Sequence, residues 1–156
     1  MVLVVSNINM IAIGEVQSDI HEKVYSNWGN VISNIRVYPE YIEGLTGLEE
    51  YSHAIIIFFM DDFKEEGSKS WVRKPRGLSD FDEKGCFAQR TKYRPNPLGI
   101  TTVEILSIEG NVITVKGLDA NNHTAILDIK PYIAEFDVRN NVRVPSWMGE
   151  LMKNYF

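Results

Sequence analysis

A chain of 156 residues, 44% hydrophobic and 24% charged, suits one globular domain with a real core and excludes disordered, collagen-like and disulfide-scaffold classes. One cysteine, Cys86, rules out an intrachain disulfide, and His21, His53 and His123 lack metal-ligand spacing, so no metal is expected. The formal net charge of −5 argues against nucleic acid until its distribution is read: between Lys69 and Arg94 eight basic residues face three acids, a net of +5 that leaves −10 on the remainder.

The lone cysteine suits a reducing, cytoplasmic setting. The opening run "MVLVVSNINMIAIG" has no cationic flank and is interrupted by Asn7 and Asn9, so strands suit it better than a signal peptide. The apolar run Ala54 to Met60 is too short for a membrane span, and no membrane partner is expected.

In chain order the predicted elements are mainly strands. "MIAIGEVQS" (10–18) is the first. "VISNIRVYPEYIEGL" (31–45) holds the second, with Val31, Ile35 and Val37 on one side and a stop at Pro39. Leu45, Leu48 and Tyr51 fall at helical spacing and predict a short helix within 43–53. "SHAIIIFFM" (52–60) is β-branched and aromatic without alternation, which predicts a strand buried on both faces at the centre of the core. Residues 61–84 are charged and aperiodic, a long surface excursion. Residues 100–119 read as a hairpin turning at Glu109, Gly110 and Asn111, and 125–133 as a strand stopped by Pro131. Trp147, Leu151 and Tyr155 at i, i+4 and i+8 predict a final helix over 146–156. The class is mostly β, a closed or strongly curved sheet with small helices.

No GxGxxG, GxxxxGK[ST], HExxH or GxSxG pattern is present. Asp61 and Asp62 follow the central strand; paired carboxylates can shift each other's pKa and serve proton transfer, although a solvated strand end would look the same. Cys86 is best read as a small buried residue. In "CFAQRTKYRPNPLG" (86–99), Pro95 and Pro97 stiffen the backbone and hold Arg94 and Asn96 extended. Arg94 can grip a carboxylate or phosphate, Asn96 can donate and accept, and Gly99 lets a ligand or another backbone approach. A purely structural turn would share this pattern. Lys69, Arg73, Lys74, Lys92 and Arg94, interleaved with Trp71 and Tyr93, are the candidate RNA contacts.

"GCFAQRTKYRPNPLGITTVEIL", "GLEEYSHAIIIFF" and "GLDANNHTAILDIKPYI" resemble, in order, three blocks of the TsaA-like (TrmO) family of tRNA methyltransferases, and "IAIGEVQS" matches its opening strand. The resemblance implies a single-sheeted, non-Rossmann β-barrel domain over 1–156, with 138–156 open as a C-terminal extension. It implies a homodimer that methylates N6 of threonylcarbamoyladenosine beside the anticodon, with S-adenosyl-L-methionine as cofactor and tRNA as partner. Carried over by position, Arg90, Ile100, Leu118, Asp119, Ala120 and Asn121 line the cofactor, as do Asp61 and Asp62, the candidate proton acceptors. Asn96 joins the set through its place in RPNPLG. Four departures surround the ligand. "EKVYSNWGNV" replaces a Pro-Arg-Gln element, Asp61-Asp62 a His-Gln pair, Gln89 a Thr, and "NNHTA" the sequence dGTP. Gln89 is the first place to look for altered specificity. A methyltransferase of another small acceptor and a non-catalytic binding barrel stay open as alternatives.

Overall fold

The computed structural model describes residues 6–21, 26–60 and 70–156. Among these, six antiparallel strands close into a barrel in the order β1 (Gly14–Gln17), β2 (Ile32–Val37), β7 (Val112–Lys116), β6 (Leu98–Glu109), β3 (His53–Phe59), β8 (Ala125–Pro131), and back to β1. Closure removes the free edges that an open sheet would expose. The expected mainly β, single-sheeted barrel with small helices is the fold observed.

Period-two alternation fills the interior. Val16 comes from β1, Ile35 and Val37 from β2, Ala54, Ile56 and Phe58 from β3, Val103 from β6, Ile113 and Val115 from β7 and Ile126 from β8. Removing such a side chain from water stabilises the fold by about 1.5–3 kcal/mol. The β3 expectation needs correction here. This strand is not buried on both faces: Ala54, Ile56 and Phe58 point inward, Ile55 and Ile57 are half-buried outside, and His53 and Phe59 are exposed. An apolar outer face erased the alternation that a polar one would have displayed.

The helix expected within 43–53 is two 3-10 turns, Pro39–Leu45 and Leu48–Glu50, separated by Gly47. Leu45 and Leu48 are still buried, so the spacing located the inward residues correctly. The 70–85 part of the excursion contains a short ladder, β4 (Val72–Arg73) with β5 (Lys84–Gly85). The β6–β7 hairpin turns at Gly110 and Asn111 as expected. Gly99 departs from its expected role. Paired with Phe58 across β3 and β6, it lies buried beneath that ring, and a Cβ there would sit 2.3 Å from two ring carbons. The space belongs to the core, not to a ligand.

Residues 134–156 contain two short helices, α1 (Ala134–Asp137), which buries no side chain, and α2 (Ser146–Leu151). Leu151 is buried, and Trp147 meets Phe81 edge-on with ring centroids 6.5 Å apart. The expected stripe breaks at Asn154, whose φ of 61° ends the helical turn and releases Tyr155. Glu15 of β1 pairs with Arg36 of β2 and lies 3.7 Å from His123. The hydrogen bond from Arg36 holds the Glu15 carboxyl below its usual range.

Candidate functional site

The site is built where β7 leaves the barrel. Gly117, at φ +94°, turns the chain where a side chain would be strained, and residues 118–122 cross the barrel end. Leu118 and Ala120 bury their side chains in the core. To a ligand they offer backbone groups. Asn122 ties the loop to the end of β1: its Oδ1 accepts from Ser18 N at 3.0 Å, and its own N–H donates to Ile20 O at 2.7 Å. Asn121 closes the loop by accepting from Thr124 N at 3.2 Å.

Between these anchors Asp119 is the loop's titratable group. The buried Thr101 hydroxyl of β6 donates to Oδ1, and the Tyr155 hydroxyl donates to Oδ2 at 2.7 Å. Burial pushes the Asp119 carboxyl above the usual carboxylate range, while the two hydroxyls and the Arg90 charge pull in the opposite direction. The exposed Arg90 is the smallest of these influences, and the two hydroxyls are the direct contacts of the mostly buried carboxylate.

The structure thus places Arg90 within electrostatic reach of Asp119 but divides the rest of the expected cofactor set. Ile100 adjoins Thr101 on β6 and points the other way, onto the outer face with Phe59 and Leu98. These three exposed side chains form an apolar band outside the barrel. Asn96 is exposed just before β6, its carbonyl accepting from Leu98 N at 2.7 Å. Asp61 and Asp62 lie outside the described residues, as does Lys69.

The basic segment is more tightly tied than its charge suggests. Arg94 Nη1 donates to the carbonyls of Gln89 and Thr91, at 3.0 and 3.1 Å, and staples its own loop. Gln89 Nε2 donates to Arg73 O and Lys84 O, at 3.1 and 2.8 Å, clamping β4 to β5. An amide spans two carbonyls in a way that the Thr hydroxyl of the resembled pattern could not. Arg73 stacks 3.6 Å from the centre of the Tyr93 ring, with Lys92 at 5.7 Å, and Lys74 Nζ donates to Ser79 O at 2.9 Å. Cys86 is buried beside exposed Phe87, as a structural cysteine should be.

Asp128 pairs with Lys130 at 2.8 Å and lines a cleft of about 660 Å³ between β8 and the 39–51 turns, among Tyr41, Leu48 and Tyr51. Among the described residues, none of the expected cofactor set borders that cleft. Sequence reasoning missed Thr101 and Tyr155 as partners of Asp119. Thr101 was legible as a polar residue at an inward position of β6, whereas Tyr155 was masked by its helical spacing.

Comparison with known proteins agrees with the fold. Residues 25–138 match the sequence profile of the tRNA-methyltransferase O N-terminal domain. The chain is 38% identical over 119 residues to a probable S-adenosyl-L-methionine-binding protein of Pyrococcus abyssi, covering 76% of this chain and 61% of that one. It is 36% identical over 119 residues to the tRNA (adenine(37)-N6)-methyltransferase of Homo sapiens, covering 76% of this chain and 26% of that one. The crystal structure of TrmO from P. aeruginosa superposes with a TM-score of 0.73 at 25% identity, over 92% of this chain and 62% of that one. The chain thus spans less than two thirds of each of these proteins.

Proposed function

Since this chain belongs to the family of the tRNA-methyltransferase O N-terminal domain, we propose that it is an S-adenosyl-L-methionine-dependent tRNA methyltransferase, acting on N6 of threonylcarbamoyladenosine next to the anticodon. The observation that carries this reading is the mostly buried carboxylate of Asp119, which lies within the residues that match that domain, on the loop that crosses the barrel end, and is held by the Thr101 and Tyr155 hydroxyls. A guanidinium suits the cofactor's carboxylate, and a carboxylate suits a cationic or amino group, so the donor set fits a zwitterionic amino-acid ligand.

Bound there, the cofactor would supply an electrophilic methyl group. The protein's work is orientation: Arg90 and Asp119 hold opposite charges of the ligand, and the anchored 118–122 loop supplies backbone groups at fixed positions. The acceptor N6 must lose a proton, and a carboxylate at 61 or 62, following β3, is the acceptor in this reading. A homodimer belongs to the same proposal, supported by the apolar band of Phe59, Leu98 and Ile100 beside the site. So do a cytoplasmic setting and a single folding unit over 1–156. The brace made by Gln89 accounts for that departure without a change of acceptor.

The test is transfer of labelled methyl from S-adenosyl-L-methionine to tRNA that carries or lacks the modified adenosine. Label confined to the modified tRNA is expected. Cofactor binding without transfer to that tRNA would shift the reading to another acceptor, and absence of binding would leave a non-catalytic barrel. For RNA contact, reversing Arg73 and Lys74 to glutamate should weaken tRNA binding and flatten the dependence of log affinity on log salt by about one unit per lost phosphate contact. An unchanged salt slope removes this hairpin from the interface.

A further inference from the structure

Tyr155 lies beyond the 25–138 match, yet its hydroxyl reaches Asp119, the acid at the centre of the candidate site. Its delivery is specific. After α2 the chain reverses at Asn154, and residues 154–155 run against the 27–28 segment: Asn27 N donates to Asn154 O and Trp28 N to Tyr155 O, both at 2.8 Å. Gly29 leaves room for the next residue, because a Cβ at 29 would lie 2.8 Å from the Phe156 backbone. The Tyr155 ring meets Phe156 edge-on at 4.8 Å, and the Arg76 guanidinium carbon lies 5.5 Å from its centre. These contacts form a strap from α2 to the 118–122 loop.

We propose that Tyr155 is a positioning residue: through this strap its hydroxyl fixes the Asp119 carboxylate, with Thr101 on the other oxygen, in the orientation that receives the cationic end of the cofactor. The inference rests on the cofactor reading given above. Among the described residues, the groups facing Asp119 are the Thr101 and Tyr155 hydroxyls, its own backbone amide and the Arg90 charge. Each carboxylate oxygen accepts one hydroxyl and retains capacity for a ligand donor. A donor of this kind favours the charged carboxylate against the burial that disfavours it. Losing it makes the site lose its negative charge at a higher pH.

Tyr155→Phe removes one oxygen and keeps the ring contacts. In the ligand-free full chain, the Asp119 carboxyl carbon should titrate at higher pH in the variant than in wild type when followed by NMR. Calorimetry with S-adenosyl-L-methionine as the probe should show affinity about tenfold weaker even where Asp119 is ionised in both proteins, with a larger deficit on the acidic side where the variant loses its charge first. An unmoved Asp119 titration would overturn the tie itself. A moved titration with affinity equal to wild type wherever Asp119 is ionised in both proteins would overturn the positioning role. Failure of wild type to bind the probe overturns the cofactor reading instead, and the ligand-free titration still decides the tie.

Discussion

Gly99→Ala should destabilise the chain by about 2–3 kcal/mol, seen as a lower urea midpoint at unchanged slope. The added Cβ would stand 2.3 Å from two carbons of the Phe58 ring, closer than any relaxed contact. That ring is itself buried, and its strand is paired on both sides, to β6 and to β8. The strain therefore has no cheap outlet, since neither the ring nor the backbone can move without disturbing other core layers. Phe58→Ala alone should cost about 3–5 kcal/mol through the cavity it leaves. Combining Gly99→Ala with Phe58→Leu should cost less than the two single changes together, because the smaller side chain vacates the space the methyl needs. Strict additivity, or a Gly99→Ala variant as stable as wild type, would show that the ring is not what requires glycine here.

Strand positions were legible wherever a polar outer face preserved alternation or a turn residue punctuated the chain. The β6–β7 turn at Gly110 and the stop of β8 at Pro131 followed from local chemistry that tertiary packing does not override. β3 misled because its outward Ile55 and Ile57 are as apolar as its inward Ile56, and a run without period two reads as doubly buried. Closure of the sheet depends on β8 meeting β1, a pairing between residues more than a hundred positions apart that no local pattern encodes.

The site was legible in its charges and not in its couplings. Arg90 and Asp119 stood in recognisable motifs, but their mutual influence arises from folding a loop across the barrel end. Arg94 was read as either a ligand grip or part of a structural turn and Gln89 as a place for altered specificity, because residue type alone cannot reveal that backbone carbonyls take up their hydrogen bonds. Tyr155 shows the opposite failure: an i+8 spacing placed it on a helix face, and a single left-handed Asn154 redirected it to Asp119.

Arg90→Ala should weaken S-adenosyl-L-methionine binding by roughly 30- to 150-fold in calorimetry, the loss expected for charge-assisted hydrogen bonds to a carboxylate. The residue is exposed, so its removal leaves no core cavity and its effect on stability should be small. The same change removes a positive charge acting on Asp119, and the carboxyl, already raised by burial, should titrate higher still. The variant's cofactor affinity should accordingly deteriorate on acidification at a pH where wild type still binds. Arg90→Lys separates the two effects. An ammonium restores charge near Asp119 but cannot present the two parallel donors of a guanidinium. Recovery of the Asp119 titration with only partial recovery of affinity would assign the guanidinium fork to the cofactor carboxylate. Affinity equal to wild type in Arg90→Ala would remove Arg90 from the cofactor site and leave it as a charge that tunes Asp119 alone.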